Sequence, residues 1–104
     1  MINNEYVIIA IINSNIVGYL AGTINEQVSY EMKQYGEINN MFVCDEYRGL
    51  GIGKKLIDKF KKYCKNKNID SLKVVASMKN INAIKFYKKQ GLSEFDITLT
   101  SKIK

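Results

Sequence analysis

The chain has 104 residues and a formal net charge of +6, enough for one domain with one modest core. It contains no histidine, which excludes a His-based catalytic triad and a His-ligated metal. Val7 to Ile12 is too short an apolar run to span a membrane, and the N-terminus lacks the basic-then-apolar layout of a signal peptide.

The two cysteines, Cys44 and Cys64, form no recognisable disulfide or metal framework. They read as reduced thiols of a cytoplasmic protein. The charge is unevenly placed: residues 1–53 carry a net −4 and residues 54–104 a net +10. That suits a polyanionic ligand, and it would also suit nucleic acid. Most of these lysines read as a solvated surface. Lys54 and Lys55 differ because they stand beside a glycine-rich loop.

Residues 6–12 read as a buried strand. Asn13-Ser14-Asn15 is a turn signal, and Ile16 to Ile24 reads as the return strand of a hairpin. The polar residues 25–35 read as a loop, and Glu37 to Val43 as a third strand. From Leu50 to about Lys65 the period becomes helical. Gly53, Leu56, Ile57, Phe60 and Cys64 share one face, with lysines opposite. Asn66 to Asp70 closes that helix. Ser71 to Ala76 is a short strand. Asn80 to Gln90 is a second helix with Ala83, Ile84 and Tyr87 on one face, ended by Gly91. Phe95 to Ser101 alternates and reads as a last strand. The order is β-β-β-α-β-α-β, one domain over residues 1–104. A hairpin ahead of the αβ alternation implies a mixed sheet with helices packed on it.

The loop between the third strand and the first helix carries the chemistry. Tyr47-Arg48-Gly49-Leu50-Gly51-Ile52-Gly53-Lys54 has glycines at alternate positions. Side-chain-free residues let several N–H groups approach one anion, and the helix start adds about half a positive charge. A P-loop needs Ser or Thr after Gly-Lys, but Lys55 follows Gly53-Lys54. A dinucleotide fingerprint needs Gly-x-Gly-x-x-Gly and an acid after the next strand. The spacing here differs, and Asp70 follows a helix.

Arg48-x-x-Gly51-x-Gly53 instead resembles the acyl-CoA pyrophosphate loop of the GNAT superfamily of N-acetyltransferases. Asn80-Ile81-Asn82-Ala83-Ile84-Lys85-Phe86-Tyr87-Lys88-Lys89-Gln90-Gly91 resembles the family's Asn-x-x-Ala-x-x-Phe-Tyr-x-x-x-Gly segment. The resemblance covers about residues 5–100. Leu92 stands where the family usually has an aromatic.

The resemblance implies an α+β fold: a mixed, mostly antiparallel sheet, splayed in the middle, with helices packed on it. Acetyl-CoA would enter the splay as cosubstrate, with no metal. The pantetheine arm would pair with backbone at Met41, Phe42 and Val43. The pyrophosphate would meet N–H groups of Arg48, Gly49, Leu50, Gly51, Ile52, Gly53 and Lys54. Asn80 matches a family asparagine that contacts the cofactor, and Tyr87 the family's general acid. Glu37 stands where many members carry a glutamate that takes the acceptor's proton. A carboxylate of ordinary pKa, about 4.3, is a weak base for this, so Glu37 would need a raised pKa or a water relay.

The implied reaction is direct acetyl transfer to a primary amine of a small molecule or protein. The N-terminal strand and two helices usual in the family are not recognisable before Tyr6, which implies an acceptor side that is open, completed by a partner subunit, or absent. A non-catalytic acyl-CoA-binding module is the alternative. The acids Glu26, Glu31 and Glu37 favour a cationic acceptor. Nucleic-acid binding is disfavoured, because no aromatic stacking array lies among the lysines. A membrane partner is not expected. An exposed sheet edge at the N-terminus is compatible with a homodimer.

Overall fold

The computed structural model describes residues 5–29 and 32–103. β1 (Tyr6–Ile12) and β2 (Asn15–Ser29) form an antiparallel hairpin. Its two-residue turn is Asn13–Ser14, with φ of 50° and 67°. Turns with both φ positive match the right-handed twist of the flanking strands. β3 (Met32–Val43) pairs antiparallel with β2, and β4 (Leu72–Val74) pairs parallel with β3. The sheet order is β1-β2-β3-β4, so the sheet is mixed and mostly antiparallel.

α1 (Ile52–Asn66) buries Leu56, Ile57, Phe60 and Cys64. This is the face that the apolar spacing marks out. They pack on Leu20 of β2 and Ile38 of β3, with Ile69 closing the cluster. Phe60 is fully buried, worth about 1.5–3 kcal/mol by transfer from water. Asn68, at φ 62°, ends the helix, and the Ile69 N–H returns to the Cys64 carbonyl. A left-handed residue here satisfies the helix's last carbonyls. α2 (Ile81–Lys89) lies against the same core through Phe86 and Tyr87. Both helices therefore cover one face of the sheet. Among the described residues, the other face carries the exposed Val7, Ile9, Ile11 and Phe42.

Two expectations need correction. Residues 25–35 are not a loop at their described positions: Asn25 pairs with Tyr35 and Glu26 with Gln34. Backbone pairing continues the hairpin through a mostly polar sequence that shows no apolar alternation. Residues 95–101 form no strand; residues 92–103 carry no regular secondary structure and 93–103 are exposed. A strand needs a neighbour, and this segment has none among the described residues. Glu31 and the side chain of Glu26 lie outside the described residues.

Candidate functional site

The site begins with one extra residue in β3. Ala21 pairs with Asn40 and Gly22 with Ile38, so Asn39 is bulged out of the β2–β3 ladder. Its amide donates to Thr23 Oγ1 at 3.2 Å. Pairing with β4 stops at the same place: Gly36, Glu37 and Ile38 face Leu72, Lys73 and Val74, and nothing beyond. A bulge bends and twists its strand and ends pairing. β3 and β4 therefore part after Ile38, which is the splay expected of the sheet.

Past the bulge, alternation decides which backbone groups face the opening. The Cys44 N–H donates to the Val17 carbonyl, so Cys44 and Phe42 turn to β2. Met41 and Val43 turn their N–H and C=O groups to the splayed edge. The Val43 carbonyl is engaged there by Arg48 Nε at 2.9 Å. Arg48 also pairs with Asp45 at 2.9 Å and lies over the Phe42 ring at 5.9 Å. Its guanidinium thus anchors the end of β3 to the 3₁₀ turn Asp45–Tyr47.

The chain then enters α1 through two left-handed residues, Gly49 at φ 81° and Gly51 at φ 83°. A Cβ at either would meet nothing within 4 Å, so the backbone conformation alone demands glycine here. Gly51 is the N-cap and has no side chain to accept from the first turn. The first intrahelical bond runs from the Lys55 N–H to the Gly51 carbonyl. The N–H groups of Gly51, Ile52, Gly53 and Lys54 precede it and are free of helical partners. No acid stands in that turn, so the positive helix end is uncompensated.

Leu50 is exposed, and Ile52 is half-buried against the core. Gly53 has a different role from the other loop glycines. A Cβ there would lie 2.9 Å from Phe86 Cζ, so Gly53 lets α2 pack closely on α1. Lys54 pairs with Asp58 at 2.7 Å, both exposed.

Asn80 caps α2, its Oδ1 accepting from the Ala83 N–H at 3.2 Å. The cap uses only Oδ1 and leaves Nδ2 uninvolved. Tyr87 is half-buried, and burial pushes its hydroxyl pKa up. The proton is held more firmly than on a free tyrosine, so the side chain is a neutral donor across the physiological range. Glu37 is half-buried on the sheet face away from the helices and accepts from Asn25 Nδ2 at 2.5 Å. Further along β3, Asn40 donates to the Tyr19 hydroxyl at 3.0 Å. Asn39 and Asn25 are contributors that sequence reasoning passed over, and Phe86 stood in the matching segment without a role of its own. The pair Asn39-Asn40, poor strand formers inside a strand, is the signal that could have marked the bulge.

Among the described residues, no cluster of His, Cys, Asp or Glu could hold a metal ion. No helix is long and apolar enough to cross a membrane.

Residues 1–92 match the family model "Acetyltransferase (GNAT) family". An uncharacterized N-acetyltransferase of Archaeoglobus fulgidus is 36% identical over 90 residues, covering 86% of this chain and 61% of the relative. One from Methanocaldococcus jannaschii is 33% identical over 86 residues, covering 83% of this chain and 38% of the relative. The chain thus spans less than two thirds of the length of these relatives. Among solved structures, the aminoglycoside N-acetyltransferase AAC(6')-Iy in complex with CoA superposes with a TM-score of 0.86 at 18% identity. That match covers 96% of this chain and 76% of the other, and it concerns the fold. With the splayed sheet, the open helix start and the matching segments together, the chain belongs to the GNAT acetyltransferase family.

Proposed function

We propose that this protein transfers an acetyl group from acetyl-CoA directly to a primary amine. One observation carries the reading. The uncapped start of α1, reached through Gly49 and Gly51, presents free N–H groups beside the edge that β3 exposes past Asn39. An anion at that helix start gains about 0.3–2 kcal/mol from the dipole, and direct N–H hydrogen bonds add to it. The acid-free first turn and the open space around Gly49 and Gly51 fit a diphosphate.

Acetyl-CoA supplies the activated thioester. The backbone of Met41 and Val43 offers edge hydrogen bonds to an extended arm. The Val43 N–H is a donor suited to a developing oxyanion. The Tyr87 hydroxyl holds the proton that a departing thiolate needs. Glu37 accepts the proton of the acceptor amine through water. Its half-buried carboxylate, on the sheet face opposite α1 and α2, favours a cationic acceptor, a small molecule or a protein amine.

Calorimetric titration with acetyl-CoA, followed by thiol release with a panel of amines, tests the reading. Tyr87→Phe should lower kcat about 10²-fold, the lower range for a general acid, with acetyl-CoA affinity nearly unchanged. An unchanged rate would refute the acid role. Binding without thiol release from any amine would favour the non-catalytic acyl-CoA-binding reading, to which the uncovered sheet face lends support.

A further inference from the structure

Lys73 and Glu37 stand side by side and do not pair. β3 and β4 are in register there, with Glu37 opposite Lys73. Their neighbours Ile38, Leu72 and Val74 belong to the core under the helices. Alternation therefore turns both charged side chains to the uncovered face. Opposite charges on neighbouring strands ordinarily attract one another. Among the described residues, however, the ion pairs are those of Arg48, Lys54 and Lys88.

Each of the two has another partner. Tyr35 lies two residues before Glu37 on the same face, and Lys73 Nζ sits over its ring, 5.3 Å from the centroid. Tyr35 is buried and Lys73 half-buried. The ammonium is thus partly withdrawn from water, which is where attraction to a ring face is strongest. An exposed pair of lysine and carboxylate contributes little by comparison. From the other neighbouring strand, Asn25 Nδ2 donates to Glu37 Oε1. That contact occupies one oxygen of the carboxylate and leaves Oε2 to another donor.

We infer that Tyr35 is a positioning residue, which holds the Lys73 ammonium over its ring and so keeps the Glu37 carboxylate open to the acceptor amine. Without the ring, Lys73 would compete for Oε2. Its backbone is fixed at the register of Glu37, so its ammonium would act at a high effective concentration, and an incoming amine would have to displace it. Asn25 holds the carboxylate from β2, and Tyr35 withdraws the cation that β4 brings. The inference rests on the acetyl-transfer reading, in which Glu37 receives the acceptor's proton. It adds the reason why a lysine can stand beside that carboxylate without closing it.

Two measurements test it. Nuclear magnetic resonance of the wild-type protein should show the Lys73 ε-methylene protons shifted upfield by the Tyr35 ring current. Tyr35→Leu should remove that shift and Tyr35→Phe should retain it. Thiol release at saturating acetyl-CoA, with butylamine, putrescine and glycinamide as acceptors, gives the second readout. Tyr35→Leu should raise the amine KM about two- to fivefold, the strength of a cross-strand charge pair that the acceptor must displace. Acetyl-CoA affinity should not change, and Tyr35→Phe should match the wild type. The double variant Y35L/K73M should return KM to the wild-type value, which a packing defect at Tyr35 would not do. Because Tyr35 is buried, Lys73→Met supplies an arm that keeps the ring. It should leave the amine KM unchanged, since the ammonium is already withdrawn. Three results would overturn the inference: an unshifted Lys73 ε-methylene in the wild type, a several-fold fall in KM in Lys73→Met, or a raised KM in Tyr35→Leu that Lys73→Met does not restore. Thiol release from none of the amines, with the ring-current shift in place, would instead overturn the acetyl-transfer reading beneath it.

Discussion

Gly51 and Gly53 are two residues apart in one loop, yet substitution at each should fail for a different reason. Gly51 sits at φ 83° with open space where a Cβ would go. Gly51→Ala therefore meets no atom and loses only conformational energy, about 1–2 kcal/mol for a left-handed residue. Gly53 has ordinary helical backbone, where alanine gains about 1 kcal/mol in propensity. Its Cβ, however, would stand 2.9 Å from Phe86 Cζ. Overpacking of this kind costs about 1–3 kcal/mol, so Gly53→Ala should be destabilising by about 0–2 kcal/mol. Phe86→Leu removes the ring tip. In the double variant, alanine then fits and its propensity gain returns. The cycle of Gly53→Ala with Phe86→Leu should show a coupling of about 1–3 kcal/mol in urea unfolding, well beyond the roughly 0.5 kcal/mol scatter of independent sites. Gly51→Ala should show no coupling to Phe86→Leu, but should weaken acetyl-CoA binding, since its methyl stands beside the free N–H groups. Additive energies at Gly53 would refute the packing role. Unchanged acetyl-CoA affinity in Gly51→Ala would refute the anion cradle.

Three further outcomes are expected. Ser14→Gly should stabilise the protein by about 1 kcal/mol in urea melts, because Ser14 holds φ 67° in a turn that favours glycine there. Asn80→Ala should cost about 1 kcal/mol through loss of the α2 cap. Asn80→Asp keeps an equally good cap acceptor, so a selective loss of acetyl-CoA affinity in that variant would expose a role for Nδ2. Finally, burial raises the pKa of the Cys64 thiol above its ordinary 9.0 and of the Tyr87 hydroxyl above its ordinary 10.0. The stability linked to each is complete below the unfolded pKa and is lost as pH rises through the folded one. Thermal midpoints should therefore begin to fall above pH 9.0 through Cys64 and above pH 10.0 through Tyr87. Tyr87→Phe should remove the later component; an unchanged alkaline profile in that variant would count against burial of the hydroxyl.

The helices were legible because each turns one apolar stripe toward the core, buried in α1 and half-buried in α2. Leu56, Ile57, Phe60 and Cys64 fall on the face that the period of 3.6 selects, and they are buried. The β1–β2 hairpin was legible for the same reason, through apolar runs either side of Asn13-Ser14. The extension of β2 and β3 was not, because residues such as Asn25, Glu26 and Gln34 pair through backbone and show no apolar alternation. Phe95 to Ser101 carries a clear alternation, but periodicity says only that one face wants cover. It cannot say whether a neighbouring strand is there. In the loop, the spacing of Arg48, Gly49, Gly51 and Gly53 marked the site as a unit. The division of labour within it, with Gly49 and Gly51 serving the backbone and Gly53 serving Phe86, depends on α2 and lies beyond any local pattern.

The bulge at Asn39 links these local facts to the candidate chemistry. Without the extra residue, β3 would continue in register, and nothing in Asn40 to Val43 forbids pairing with an extended β4. With it, pairing ends at Ile38, and the edge groups of Met41 and Val43 are left unpaired by β4. Unpaired backbone groups are costly when buried and tolerable where water or a ligand can reach them. Arg48 satisfies one of them, the Val43 carbonyl, and in doing so fixes where the chain turns toward α1. The helix start then follows the exposed edge directly, separated from it by the Asp45–Tyr47 turn and the two left-handed glycines. An extended edge and a free helix N-terminus placed in succession suit a ligand with an extended polar arm and an anionic end. One inserted residue in a strand and two glycines in a loop are enough to produce that pairing.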